Sequence, residues 1–407
     1  MSASVTSSPR RPTPVAAVLS LTVLASFSTG VFWNGMPFIA EKDYQFTEFD
    51  NFLLFLVVGL IYVAAALGAG TMLRALEGRV RPRSVLGGII VLQGAACSVA
   101  IVDASWIVWV VTMAISALSA FFWPVVEGYL AAGKAGARLR FAIGLWNVAW
   151  TSAVAISLIL MAPFMRQGGD ARWAIVVLGG VNLLGLLTLF WFNARPMAHG
   201  DESAGAEIGP EYADLLHSAR ILLPVSYILV AMISPLMPYR MSAIGVDPTW
   251  RTAFTATWML ARVAAIVAMW QLPFWHGRWG TLLFAGASMT LGFLGLILAP
   301  NAPVMFVGLA LFGLGQGVTY YAALYYVMSV GHQSVDAGGT HEGLIGVGYA
   351  AGPLLGLVSI LAVEWFAFAE PQAALATTRI VLILGVMAAC AVFALRPYRA
   401  AMQRRGR

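Results

Sequence analysis

Apolar runs of about 20 residues, broken by short polar punctuation, recur along the chain. They fall at about 15–39, 51–73, 84–102, 105–131, 141–164, 173–193, 219–239, 252–272, 280–299, 302–329, 343–363 and 378–396. At 1.5 Å of rise per residue, a helix of that length crosses the hydrocarbon core of a bilayer. Hydrocarbon leaves no backbone group unpaired cheaply, and these runs are too long for barrel strands. The pattern therefore predicts an all-α polytopic membrane protein with twelve transmembrane helices. The first run follows Arg10 and Arg11 as a signal sequence does, but its apolar stretch is long and no A-x-A site follows it. It reads as a retained helix.

The pattern breaks once. Residues 194–218 form the longest connection and hold Arg195, Pro196, His199, Asp201, Glu202, Gly209 and Pro210. This predicts a polar linker between two six-helix bundles, 15–193 and 219–396, flanked by an N-terminal arm 1–14 and a basic tail 397–407. Residues 211–220 suit a surface helix within that linker.

Composition sharpens the picture. Only 10% of the 407 residues are charged and 60% are hydrophobic, too little polarity to cover a soluble globule. The net charge of +6 would suit nucleic acid, but the basic residues lie in the short loops, which points to lipid headgroups instead. With the N-terminus cytoplasmic, 17 of the 24 Lys and Arg fall on the cytoplasmic side and six on the other, leaving Arg262 inside a span. Both termini are thus expected in the cytoplasm. The 22 Arg against 2 Lys suggest a GC-rich bacterial genome, hence a multi-pass plasma (inner) membrane protein of a bacterium. Cys97 and Cys390 lie in apolar runs, so neither a disulfide framework nor a metal cluster is expected, and no cofactor is. The sequence holds no Gly-x4-Gly-Lys-[ST] phosphate loop, so energy has to come from a gradient.

A weak internal repeat accompanies the division. Residues 120–130 lie opposite 317–327, and 142–150 opposite 344–352. Two parallel six-helix repeats resemble the major facilitator superfamily of secondary transporters. The loop after the second run resembles the family's Gly-x-Leu-x-Asp-Arg-x-Gly-Arg motif through Thr71, Leu73, Gly78 and Arg79, followed by Arg81 and Arg83. Ala75 stands at the Asp position, and Glu77 is the substitute. The resemblance implies a gating role for Glu77, Gly78 and Arg79. Gly348, Gly352, Pro353 and Gly356 resemble the Gly-x-x-x-Gly-Pro-x-x-Gly run of drug/proton antiporters, but lie on the eleventh span instead of the fifth. That spacing suits a close helix seam.

Polar residues inside the membrane carry the functional expectations. Arg262 is central in the eighth span, where a guanidinium costs on the order of 3 kcal/mol and has to face a cavity or a partner. It is read either as an anion-binding residue, with Trp258 one turn away to stack on it, or as a structural bridge. Glu127, in the fourth span, either carries a coupling proton or pairs with Arg138 or Arg140. Glu342 is placed at the mouth of the eleventh span, as a second proton group or a cap. Asn34, Asn147, Trp150, Gln316 and Tyr320 complete a substrate site, each amide being equally suited to an interhelical hydrogen bond. Trp123 and Trp146 lie within spans beside these groups, and Pro124, Pro235 and Pro238 are candidate hinges.

The expected function is secondary active transport of a small organic solute by alternating access, proton-coupled and with an anionic cargo. The expected protein is a monomer with no nucleic-acid partner and no enzymatic activity. Two alternatives stand beside it: an exporter of hydrophobic drugs or lipids with a structural Arg262, and a non-transporting sensor or assembly protein on the same fold.

Overall fold

The computed structural model describes residues 12–76, 78–134, 136–197, 211–330 and 335–399. Twelve of its helices are long and apolar enough to cross a membrane: α1 (Val15–Tyr44), α2 (Glu48–Met72), α3 (Pro82–Ile101), α4 (Trp106–Ala131), α5 (Gly136–Met165), α6 (Arg172–Trp191), α7 (Glu211–Ala243), α8 (Pro248–Gln271), α9 (Trp279–Leu298), α10 (Ala302–Val327), α11 (Glu342–Phe366) and α12 (Pro371–Arg399). An even number of crossings returns the chain to the face on which it starts, called here the terminal face; the other is the opposite face.

Two boundaries differ from the sequence expectation. Residues 211–220 belong to α7 itself, because Glu211 to Ala243 is one uninterrupted helix through Pro224, Pro235 and Pro238. The helix that contains α11 extends back to Val335, so Glu342, the first residue of the span, lies two turns inside the helix and not at its start. Apolar run length sees only the lipid-embedded part of a helix. Polar turns that project beyond it are invisible to that measure.

The first six helices meet the last six chiefly through α2 with α11 and α5 with α8. Small residues set the spacing. Pro353 cannot donate to the carbonyl of Tyr349 four residues back, and Gly59 of α2 lets that free carbonyl approach closely, since a Cβ there would overlap it. Gly356 similarly admits the ring of Phe52, and Gly346 admits Val63. Gly144 of α5 makes room for Trp270 of α8.

A Gly59→Ala substitution is therefore expected to destabilise the fold by about 1–3 kcal/mol, the usual cost of overpacking. Gly68, on the same helix with nothing within 4 Å, should accept alanine freely. Melting temperatures of the two variants check this; equal values would mean that the α2–α11 seam yields.

A third junction involves α1 and α7 on the opposite side of the bundle centre. Residues Val31–Gly35 of α1 form a π-helical turn just before Pro37. The proline leaves the Trp33 carbonyl without its usual donor, and Ser234 Oγ of α7 donates to it at 2.6 Å. Close by, Asn51 Nδ2 donates to Tyr239 Oη at 2.7 Å, and that hydroxyl donates to the Phe46 carbonyl at 2.7 Å.

Candidate functional site

Two cavities compete for attention. The larger, about 650 Å³, opens on the opposite face between Lys42, Asp43, Asp103, Asp170 and Asp247. Its charges are spent on one another. Lys42 pairs with Asp43 at 2.8 Å and donates to the Gly169 carbonyl; Asp43 accepts from the Ala171 N–H; Arg172 ties Asp170 at 2.7 Å and Asp103 at 3.5 Å. Asp247 caps α8 through the Thr249 N–H, and the Thr249 side chain first, then that N–H, hold its carboxyl below the usual range. These groups stitch loops together.

The second cavity, about 70 Å³, lies near the middle of the helices between the two sets of six. One wall comes from α1, α2, α7 and α11. Trp33 stacks on Tyr349, centroids 4.0 Å apart at 20°, while Tyr62 and Tyr227 meet Tyr349 edge-on at 5.6 and 5.3 Å. Glu342 lies one turn before Ile345 and two before Tyr349, a spacing that puts all three on one helix face. Its Oε2 accepts from the Tyr62 hydroxyl at 2.7 Å.

The facing wall comes from α4, α5 and α10. Trp123 and Glu127 are four residues apart on α4, as are Trp146 and Trp150 on α5, so each pair projects from one face. The rings form a chain: Trp123 to Trp146 at 6.2 Å, Trp146 to Trp150 at 6.4 Å, Trp150 to Tyr320 at 5.7 Å. Two of the three indole N–H groups are bonded within the protein. Trp146 Nε1 donates to Thr22 Oγ1 at 3.0 Å, and Trp150 Nε1 to Asn147 Oδ1 at 2.9 Å.

Behind this wall is Arg262, only 2% exposed. Its guanidinium carbon lies 4.4 Å from the Trp150 ring centroid and 4.6 Å from that of Tyr320. These contacts compensate part of its burial. Its Nε and Nη2 have no hydrogen-bond partner, nor has either amide atom of the buried Gln316. Tyr227 faces both side chains.

The expected site residues thus separate into groups. Glu127, Glu342, Trp150 and Tyr320 line the cavity together. Arg262 and Gln316 lie directly behind its rings. Trp258 does not stack on Arg262: its ring meets Phe312 edge-on at 5.9 Å in the α8–α10 core, and Trp150 takes the expected place. Asn147 bridges the Ile143 carbonyl and Trp150 Nε1, orienting the ring instead of facing the cavity. Asn34 is buried in the π turn, where its neighbours Thr29 and Trp33 are the ones that reach the cavity. Among the described residues no ion pair joins Glu127 to Arg138 or Arg140. Of the gating triad, Glu77 lies outside the described residues; Gly78 turns the chain at φ 83°, and Arg79 is exposed.

Sequence reasoning passed over Trp33, Tyr62, Tyr227 and Tyr349. Their common signal is an aromatic residue in the middle of a span, far from the interfacial belt where aromatics usually lie.

Twelve helices that are long and apolar enough to cross a membrane, packed around a central cavity, are the architecture of a polytopic transporter. Residues 18–353 match the Major Facilitator Superfamily, and the chain belongs to that family. No curated protein sequence matches it. The fold is similar to that of the nucleoside transporter NupG (D323A mutant; TM-score 0.67, 11% identity, covering 92% of this chain and 99% of that one). It is also similar to a bacterial homologue of the human lysosomal transporter Spinster in an inward-facing, unoccupied conformation (0.68, 12%, 97% and 98%). A third similar fold is the human organic anion transporter MFSD10 (0.60, 15%, 94% and 100%).

Proposed function

We propose that the protein is a proton-coupled transporter of a small organic solute, a monomer in a bacterial plasma membrane with its terminal face in the cytoplasm. The bundles 15–193 and 219–396 rock about the central cavity, and Glu127 and Glu342 carry the coupling proton. The observation that supports this reading is the acidic pair itself. Two carboxyls face one small cavity, and neither has a basic partner among the described residues. Intramembrane carboxyls of this kind mark proton relays. Tyr62, bonded to Glu342, gives α2 a contact that changes with the charge of that group. Arg262 is the fixed positive counterweight and holds Trp150 and Tyr320 on the wall. An anionic cargo does not suit this wall, because the rings cover the guanidinium and the charges on the wall are acidic.

A melting-point screen of the detergent-purified chain against organic anions, sugars, amino acids, amines and hydrophobic drugs identifies the cargo by mass action. Uptake of the hit into proteoliposomes is then expected to follow an imposed pH gradient. Glu127→Gln and Glu342→Gln should each flatten that response. The same pH response in both variants as in the parent would sink the proton role. His276, outside the spans, needs a control. Burial first, then the neighbouring Arg140, hold its imidazole below the usual range. Its contribution to stability is present above the ordinary histidine range and is lost as pH falls, so a His276→Gln background removes a purely acid-side artefact.

A further inference from the structure

We infer that the cargo is an organic ammonium cation whose charged head lies between the Glu127 and Glu342 carboxylates and the faces of Trp33, Trp123 and Tyr349. The inference rests on the cavity being the transport site and names what that site selects. Four observations carry it. Eight of the twelve residues lining the cavity are Trp or Tyr, two are Glu, and none is Lys, Arg or His. Ring faces and carboxylates are the two groups that recognise a cation at low hydration.

Three of the donors that an anion would need are committed to the protein itself. The indole N–H groups of Trp146 and Trp150 serve Thr22 and Asn147, and the Tyr62 hydroxyl serves Glu342. The carboxylate oxygens and ring surfaces of the lining are the groups that a cation needs.

The protein already uses the same wall on a cation of its own. The Arg262 guanidinium contacts Trp150 and Tyr320 from behind at 4.4 and 4.6 Å. The front of that wall continues through Trp146 and Trp123 to Glu127.

The dimensions fit a head group. A volume of about 70 Å³ matches roughly two water molecules, the space of a small alkylammonium and not of a whole drug molecule. Any larger apolar part of the cargo then extends along the rings as the bundles open.

The test is equilibrium binding to the full chain in lipid nanodiscs, read by quenching of tryptophan fluorescence and by melting point. The probes are benzyltrimethylammonium, its uncharged isostere neopentylbenzene, and benzoate. Benzyltrimethylammonium is expected to bind saturably and at least about tenfold tighter than neopentylbenzene, with benzoate not binding, since a desolvated cation–ring contact is worth about that much. Glu127→Gln and Glu342→Gln should each weaken the ammonium by about tenfold and leave neopentylbenzene unchanged. Trp33→Leu should do likewise, and Trp123→Leu serves if the Trp33 variant does not fold. Equal binding of the ammonium and its isostere, tighter binding of benzoate, or no binding of any ammonium from methylammonium upward overturns the inference. Binding at equilibrium needs no proton flux. Ammonium binding without proton movement would thus remove the coupling reading and keep this one, while proton-coupled uptake of benzoate would do the reverse.

Discussion

Exchanging Arg262 for methionine is expected to leave the melting temperature no lower than that of the parent and to cut transport about a hundredfold. The two halves of that result come from different physics. The guanidinium is 2% exposed, and its ring contacts and the neighbouring Tyr227 hydroxyl offset its desolvation cost only in part. A methionine has similar reach, and its thioether makes favourable contacts with aromatic rings, so Trp150 and Tyr320 keep a neighbour. Replacing a buried charge by a well-packed apolar side chain is often neutral or stabilising by about 1–4 kcal/mol.

Transport, by contrast, is expected to depend on the charge. Tyr320 contacts the Arg262 guanidinium on one side and lines the cavity that holds Glu127 and Glu342, so the fixed positive charge lies one ring away from the acidic pair. Without it the charged groups lining the cavity among the described residues are acidic only, and the proposed cycle, which has to empty and refill that pair, is expected to stall. Uptake into proteoliposomes and thermal unfolding of the same preparation check both halves. A melting point that falls by many degrees, with uptake per folded molecule unchanged, would make Arg262 a structural bolt.

The membrane topology was legible in the sequence because it depends on run length. Twelve runs became twelve helices, since a buried backbone has one way to satisfy itself in hydrocarbon. The site was legible only where a residue was out of place by polarity. Glu127 and Arg262 announce themselves as charges in apolar runs, and both lie at the centre of the bundle.

What run length and polarity cannot supply is direction around a helix axis. Trp258 and Trp150 are both tryptophans within reach of Arg262 on paper, one by helical spacing and one across helices. The packing of α8 on α10 turns Trp258 to Phe312, while the α5–α8 contact delivers Trp150. Asn147 and Asn34 looked alike as intramembrane amides, yet one orients a cavity ring and the other lies within a π turn. Glu342 was misplaced for a different reason: polar turns of α11 lie before its apolar run, so the helix start could not be read from hydropathy.

Removing Arg379 is expected to open the opposite face, shifting the balance between conformations about 30- to 100-fold, which corresponds to about 2–3 kcal/mol. Arg379 of α12 pairs with Glu48 at the start of α2, donates from Nε to Ser359 Oγ at 3.1 Å and lies 5.8 Å over the ring of Phe52. Arg251 of α8 and Glu41 of α1 form a looser pair at 3.8 Å on the same face. With the Ser234–Trp33 and Asn51–Tyr239 bonds, these contacts fasten the first six helices to the last six across the opposite face. A contact that exists only while that face is closed stabilises only the closed state, so its loss changes a population and not the fold as a whole. Glu48 retains access to water, at 23% side-chain exposure, and rehydrates as the face opens.

The reporter is a cysteine at Thr29, on the cavity wall. The native Cys97 and Cys390 are both buried and give little background. In proteoliposomes, a membrane-impermeant thiol reagent added from the opposite face should label Thr29→Cys slowly, and much faster once Arg379→Ala is added. Faster labelling from the terminal face instead would reverse the assignment of the clamp. Unchanged labelling with a lower melting point would mean that the Arg379–Glu48 pair persists in both conformations and plays no part in the cycle.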